Sequence, residues 1–203
     1  MKKTLLSAVA ALALLPSLAA AATDAFKLDA SHSSVGFSVR HLVISQVRGE
    51  FGKVAGTVAL DEADPTRSTV EATIDAASVD TKVANRDAHL KSPDFLDVAK
   101  YPAITFKSTK IAKVGEGAYA VTGDLTVHGV TRPVTLQATV TPEVKGMTGE
   151  TRRGISATTK ISRKEFGLTW NKVVEAGPVV GDEVAIALDL EAVKDQPKAA
   201  SAR

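Results

Sequence analysis

The sequence contains no cysteine among its 203 residues, and aromatic residues make up only 4% of it. Without cysteine the chain has no disulfide, no thiol nucleophile and no thiolate ligand for a metal, and it offers no cysteine for a lipid anchor. The scarcity of large rings matters for the interior. Because small inward-facing side chains leave space that rings would fill, the composition favours a core with room in it.

The familiar catalytic motifs are also missing. The sequence has no Gly-x-Ser-x-Gly elbow, no phosphate-binding glycine loop of the usual spacing and no His-Glu-x-x-His pair. Four histidines are scattered along the chain, at His32, His41, His89 and His128, and none forms a pair at metal-ligand spacing. We therefore expect no enzymatic activity, no cofactor and no metal. A metal site assembled from distant strands is the alternative that the sequence leaves open, although a lone strand histidine is usually structural.

The charge of the chain is almost balanced. The sequence has 25 basic and 23 acidic residues, and two of the basic ones, Lys2 and Lys3, lie in an N-terminal segment that we expect to be removed. The remaining charges then cancel in number. A near-neutral protein lacks the broad basic surface that nucleic acid requires, so we expect no nucleic-acid partner.

A secretory signal peptide is predicted over residues 1–22. A basic start is followed by an apolar run over residues 5–15 and by small residues, with cleavage after Ala20 or, as we favour, after Ala22. The apolar run is shorter than the roughly 20 residues that a membrane span needs. The pattern predicts export to the periplasm without stable membrane insertion. Residues 194–203 are predicted to be a polar tail, which leaves residues 23–193 as one domain.

Apolar residues alternate with polar ones in many short runs, such as Val35, Phe37 and Val39. This period of two indicates strands that bury one face, and a chain with many such strands predicts an antiparallel sandwich or barrel. The segment 47–60 is predicted to form one long strand that bends at its glycines. The predicted strands span residues 26–28, 34–41, 47–60, 69–75, 103–113, 118–128, 132–140, 154–161 and 183–190. Eight or nine strands suit the closure of a small barrel.

Three short helical segments interrupt the strands. The spacing of apolar residues predicts a helix over Val79–Leu90, capped by Asp80 or Thr81. Ser92 followed by Pro93 predicts a second short helix over residues 92–96. The capping-box spacing of Ser162 and Glu165 predicts a helical turn over residues 162–166.

Six segments, in order along the chain, together resemble the YceI-like family of periplasmic lipid-binding proteins. They are SHSSVGFSVRH (31–41), RGEF (48–51), RDAHL (86–90), YPAITFKS (101–108), GDLTVHGVT (123–131) and SRKEFG (162–167). The resemblance implies an all-β fold, a lipocalin-like eight-stranded antiparallel β-barrel with short helical insertions. It also implies a periplasmic location, a long hydrophobic ligand in the lumen and no catalysis.

The size of the ligand follows from binding energetics. Burial of a methylene contributes about 0.8 kcal/mol, whereas association costs about 4 to 15 kcal/mol. A chain of a dozen or more carbons is therefore expected, either a polyisoprenoid, an isoprenoid quinone, or a fatty acid or amide. The residues expected to line the lumen are Phe37, Val39, Ile74, Leu90, Phe95, Ile104, Phe106, Leu125, Val127, Phe166 and Trp170. For each of them, ordinary core packing is the alternative.

Polar residues at two places could bind a headgroup or gate the mouth of a barrel. They are Arg40 and His41 after the first strong strand, and Arg86, Asp87 and His89 on the predicted helix. The alternative is that they pin the helix to the sheet. Two further functions stay open: an interaction protein with a mainly structural barrel, and a lipid-acting enzyme with a hidden histidine site. Exposed edge strands or a shared mouth could also support a homodimer.

Overall fold

The computed structural model describes residues 23–175 and 177–195 and confirms the all-β prediction. The predicted signal peptide, 1–22, and residues 196–203 of the predicted tail lie outside the described residues. The last long strand continues to Lys194, one residue past the predicted domain boundary. Within the described ranges, no helix has the length and apolar character needed to cross a bilayer.

Most of the described residues belong to strands. The strands are β1 (Asp24–Leu28), β2 (Ser34–His41), β3 (Ser45–Phe51), β4 (Val54–Leu60), β5 (Thr69–Asp75), β6 (Val79–Asp80), β7 (Ala103–Gly115), β8 (Ala118–Val127), β9 (Val130–Val140), β10 (Val144–Lys145), β11 (Thr151–Ser162), β12 (Val173–Val174), β13 (Gly177–Pro178) and β14 (Val180–Lys194). Within residues 23–175 and 177–195 there is one α-helix, α1, over Ala84–Lys91. Four 3₁₀-helical turns span Ala30–His32, Pro65–Arg67, Ala76–Ser78 and Arg163–Phe166.

Eight of these strands close into an antiparallel barrel, which confirms the predicted fold class. Their order around the ring is β11-β9-β8-β7-β5-β4-β1-β14, and β14 closes the ring by pairing with β11. That closing ladder extends from Ser162↔Glu183 to Arg152↔Val193. A closed ring of eight strands leaves an interior that side chains can fill or that can hold one small ligand.

The two ends of the barrel differ because β14 changes partners along one edge. Near its C-terminus β14 pairs with β1, from Ala192 onward, whereas Val180 to Asp189 pair with β2. Strands β2, β3 and β6 therefore extend the wall at one end, next to α1. The opposite end is filled by a separate hydrophobic cluster of Phe26, Leu60 and Ala192, all fully or nearly fully buried.

The predicted strand 47–60 is wrong in one respect, because it is two strands. β3 ends at Phe51 and pairs with β2, whereas β4 begins at Val54 and pairs with β1 and β5. The chain leaves one set of neighbours and joins another at Gly52 and Lys53. The sequence contains a signal for this break, since the buried apolar positions fall on odd numbers up to Phe51 and on even numbers from Val54 onward.

The predicted helix 79–90 is shorter than expected. Val79 and Asp80 form β6 and pair with β3, and α1 begins only at Ala84. Neither Asp80 nor Thr81 caps α1, since its N-cap residue is Val83, which makes no side-chain capping bond. Val79 and Asp80 instead pair with the edge of β3. This short strand is the reason that the helix begins later than the spacing of apolar residues predicts.

The other two helical predictions have different outcomes. Residues 92–96 form successive turns and not a helix, because Ser92 is the C-cap of α1, with its hydroxyl donating to the carbonyl oxygen of His89 at 2.8 Å. The predicted helical turn exists as the 3₁₀ segment Arg163–Phe166. Its capping box is not formed, since the Ser162 hydroxyl donates to Asp182 at 2.9 Å.

Candidate ligand cavity

The barrel encloses a cavity of about 270 Å³. It extends from Leu28 and Leu60, beside the Phe26 cluster, to Leu90 on α1 and Phe95 after it. Its wall consists mainly of every second residue of the barrel strands, because alternate strand residues face the same side of a sheet. The lining is aliphatic and aromatic, with four polar side chains among the lining residues: Ser68, Tyr119, Thr159 and Arg163.

The structure brings nine of the eleven predicted lumen residues to this cavity. They are Phe37, Val39, Ile74, Leu90, Phe95, Ile104, Phe106, Leu125 and Val127. Phe166 and Trp170 are not among the lining residues. Phe166 is 1% exposed and packs into the main hydrophobic core from its 3₁₀ turn. Both exceptions lie outside the strands, where a period of two does not determine direction.

Trp170 belongs instead to an aromatic cluster at the α1 end of the barrel. Its ring lies 5.1 Å from that of Phe95 and 4.8 Å from that of His89, measured between ring centroids. The rings of His89 and Phe95 also meet edge to face at 4.9 Å. His89 is oriented by a 2.9 Å contact between its Nε2 and the carboxylate of Asp94. Since Phe95 lines the cavity, this cluster covers the cavity wall from outside.

A buried arginine, Arg163, is the one charged side chain among the described lining residues, and no sequence pattern predicts a role for it. It is 3% exposed and donates to backbone carbonyl oxygens of residues 168, 170, 180 and 181, with Nε to Gly181 and Nη1 to Trp170 both at 2.8 Å. Burial lowers the pKa of the guanidinium, an effect that the nearby charge of Asp182 opposes. Its donors hold the segment that carries Trp170 against the start of β14.

The predicted headgroup residues fall into two groups. Arg86 and Asp87 hold Thr81 from two sides: Arg86 donates to its hydroxyl and carbonyl oxygens, and Asp87 accepts from its N–H and hydroxyl. These contacts fix the start of α1. His89 lies in the aromatic cluster. Arg40 and His41 lie at the end of β2, where Arg40 is exposed. The structure brings none of these five residues into the lining of the cavity.

A second cluster of charged groups lies outside the cavity. Asp29, His32 and Glu191 place their ligand atoms within 4.8 Å of one another, a spacing that could hold a metal ion. Arg152 already lies among them, since its Nη1 donates to Asp29 at 2.7 Å and to Glu191 at 2.5 Å. The hydrogen bond that His32 donates to the Asp29 carboxylate raises the pKa of His32. A cationic guanidinium among these carboxylates is characteristic of an ion-pair network and leaves little charge for a metal to neutralise.

Comparisons with known proteins cover nearly all of the described chain. The model of the YceI-like domain matches residues 26–192. A UPF0312 protein of Serratia proteamaculans is 40% identical over 196 residues, 96% of this chain and 98% of the relative.

Solved structures show the same fold. The crystal structure of BcnA from Burkholderia cenocepacia superposes with a TM-score of 0.72 at 27% identity, covering 81% of this chain and 98% of that one. A polyisoprenoid-binding domain from Saccharophagus degradans superposes with a TM-score of 0.63 at 18% identity, covering 84% of this chain and 98% of that domain.

Proposed function

This chain belongs to the YceI-like family, and we propose that it is a non-catalytic carrier that holds a long-chain lipophilic molecule in its barrel cavity. We propose further that it works in the periplasm after removal of residues 1–22. The N-terminal pattern of a basic start, a short apolar run and small residues supports export. Mass determination of the chain recovered by osmotic shock tests this directly, and the expected N-terminus is Thr23.

The apolar cavity is the observation that carries the proposal. An engineered cavity of about 150 Å³ lined by apolar side chains stays free of water and admits benzene, and the cavity here measures about 270 Å³. An empty cavity costs stability in proportion to its volume, at about 24 cal/mol per Å³, so this one would cost several kcal/mol. Folded domains are stable by only about 5 to 15 kcal/mol. A bound apolar molecule would restore the missing contacts.

The chemistry of the lining favours binding over catalysis. Among the described lining residues there is no histidine, carboxylate or lysine that could transfer a proton to or from a bound molecule. The guanidinium of Arg163 is committed to backbone carbonyl oxygens. The wall therefore contacts a ligand mainly through apolar side chains, together with a few hydroxyl groups.

The same wall favours a ligand with a long hydrocarbon tail. Each buried methylene contributes about 0.8 kcal/mol, and about 4 to 15 kcal/mol must be offset before binding is observed. We propose a polyisoprenoid, an isoprenoid quinone, or a fatty acid or amide. The polyisoprenoid-binding domain that shares the fold supports the first of these.

Native mass spectrometry with lipid identification tests the function, using the exported chain purified without detergent. The wild type should carry one long-chain molecule. Ala72 lines the cavity from β5, so Ala72→Phe should fill the space and abolish the bound mass. Thr73→Phe is the matched control, because Thr73 is exposed on the other face of the same strand. Equal occupancy in wild type and Ala72→Phe would place the ligand elsewhere and refute the proposal.

Phe106→Arg gives a second test on another strand. Phe106 is buried and lines the cavity from β7, and an arginine there would put an unpaired charge into apolar surroundings. Thr105→Arg, on the exposed face beside it, is the control. Retention of lipid at wild-type occupancy by folded Phe106→Arg would contradict the cavity assignment.

A further inference from the structure

Two neighbouring hairpins at the α1 end of the barrel expose aliphatic side chains to solvent. The turn between β2 and β3 carries Val43 and Ile44, which are 61% and 81% exposed. Strand β12 carries Val173 and Val174, which are 82% and 44% exposed. We call these four side chains the apolar lip. A group of exposed apolar side chains on a soluble domain marks a site of interaction.

The two hairpins adjoin one another. The backbone N–H of Leu42 donates to the carbonyl oxygen of Val179 at 3.0 Å, and β2 pairs with β14 next to this point. A Cβ placed on Gly177 would lie 3.9 Å from the Val43 side chain. The β2–β3 turn and the β12–β13 hairpin are therefore in direct contact at this end of the barrel.

The turn that carries Val43 has a conformation that its residues disfavour. Leu42 and Val43 both have positive φ, 50° and 65°, and the Ile44 N–H donates to the His41 carbonyl oxygen at 3.2 Å. These features define a type I′ turn, in which asparagine and glycine are the preferred residues. A branched side chain at positive φ is strained. The exposed tip of this turn therefore carries apolar side chains at positions where the backbone conformation favours small polar residues.

The lip lies close along the chain to residues that line the cavity. Val39 lines the cavity three residues before Leu42, and Val180 lines it two residues after the end of β13. The aromatic cluster of His89, Phe95 and Trp170 lies at this same end, and Trp170 precedes Val173 by three residues. The lip therefore lies at the end of the barrel that carries the aromatic cluster, a few residues along the chain from the cavity lining.

The charges beside the lip identify its partner. Arg40, Arg48 and Lys172 are exposed, and within residues 23–175 and 177–195 none of them forms an ion pair. Two carboxylates lie near these cations: Glu175 in the same hairpin as Lys172, and Asp182, which follows Gly181 beside Arg40. Aliphatic side chains flanked by a net positive charge suit the interface of a bilayer with anionic headgroups. A second copy of the chain fits less well, because stable dimers bury about 1,200 to 2,000 Å² in total, far more than four side chains supply.

We propose that the apolar lip docks this protein onto the surface of an anionic lipid bilayer, with the lip inserted among the headgroups. If docking serves to pass cargo between the membrane and the cavity, that role of the lip rests on the proposed function. The docking itself does not, because the lip lies outside the cavity and can be tested without any cargo.

The test uses the exported chain and vesicles of equal parts phosphatidylethanolamine and phosphatidylglycerol. Trp170 is the single tryptophan and lies close to the lip, so quenching by brominated acyl chains reports insertion. The wild type should bind the vesicles and be quenched, more weakly in high salt and on phosphatidylcholine alone. The triple variant Val43→Ser, Ile44→Ser, Val173→Ser should lose about tenfold in vesicle affinity.

The matched control is the double variant Val114→Ser, Val144→Ser. These valines are 62% and 57% exposed and lie at the opposite end of the barrel, so vesicle binding should stay at the wild-type value. Equal binding by wild type and triple variant, or no binding by the wild type, would overturn the proposal. A wild-type dimer that the triple variant abolishes would also overturn it. If the folded triple variant carries the same bound molecule as the wild type, a failure of membrane docking is distinguished from a failure of the proposed function.

Discussion

The buried guanidinium of Arg163 donates a hydrogen bond to the backbone carbonyl oxygen of Trp170 at 2.8 Å. The Trp170 ring in turn packs on Phe95, which lines the cavity. A single buried charge thus fixes the segment whose aromatic ring covers one end of the barrel. This relationship links the stability of the fold to the cavity.

Replacement of Arg163 by methionine should destabilise the protein by about 3 kcal/mol, because it leaves several buried carbonyl oxygens without a donor. The midpoint of urea unfolding, with an unchanged m value, measures this loss. Lys164→Met is the control, since Lys164 is exposed and its side chain makes no hydrogen bond within the described residues. A folded Arg163→Met variant as stable as the wild type would show that the carbonyl oxygens find other partners.

Replacement of Trp170 by alanine should speed the release of bound ligand by about tenfold, since changes at a binding site act mainly on dissociation rates. The ring covers Phe95, and its removal uncovers the wall at that end. Stopped-flow displacement of a fluorescent fatty-acid analogue gives the rate. Lys172→Ala, an exposed neighbour, should release the analogue at the wild-type rate. If both variants release it equally slowly, the aromatic cluster does not control access.

Two glycines of the β3–β4 region should respond differently to alanine. A Cβ at Gly49 would collide with the ring of Phe37 and lie 2.8 Å from Cγ2 of Thr81, whereas a Cβ at Gly52 meets nothing within 4 Å. We expect Gly49→Ala to cost about 1 to 3 kcal/mol through overpacking, and Gly52→Ala to change stability by less than about 0.5 kcal/mol. Thermal unfolding of the pair provides the comparison. Equal melting temperatures would mean that Phe37 moves freely, and the cavity beside it would then be less well defined.

The stability of the protein should depend on the protonation of His32. Its hydrogen bond to Asp29 raises the pKa of His32 above the ordinary value of 6.5 and, with Arg152, lowers the pKa of Asp29. Because the folded-state pKa of His32 is raised, its contribution to stability is fully present below about pH 6.5. It is lost as the pH rises through the raised value.

Melting temperatures of wild type and His32→Gln should therefore differ at pH 5.5 and converge in alkaline buffer. The difference should be small, because the imidazole is largely exposed. His41→Gln is the histidine variant for comparison, since His41 forms no ion pair with a carboxylate within the described residues. A difference for His32→Gln that grows with rising pH would contradict the assigned ion pair.

The barrel could be predicted because its signal is local. Alternation along β2, β5, β7 and β8 sets the inward face of each strand, and nine predicted lumen residues on strands, α1 and the following turn line the cavity. The break between β3 and β4 was missed, although the change of buried positions from odd to even numbers marks it. At this break the chain leaves β2 and joins β1 and β5, and β1 is separated from β4 along the chain by both β2 and β3.

The elements at the α1 end could not be predicted in this way. Phe166 and Trp170 lie in a 3₁₀ turn and a loop, where no short period determines direction. The role of Arg163 depends on carbonyl oxygens of Val180 and Gly181, which β11–β14 pairing brings near it. The helix α1 began later than expected because Val79 and Asp80 have strand partners in β3.

A high-resolution crystal structure of the exported chain, purified from its native compartment without detergent, decides whether the barrel holds cargo. We expect continuous density for one long apolar chain inside the barrel, in contact with Phe106 and Ile74. A barrel whose own side chains have closed the cavity, with no bound molecule, would contradict this expectation.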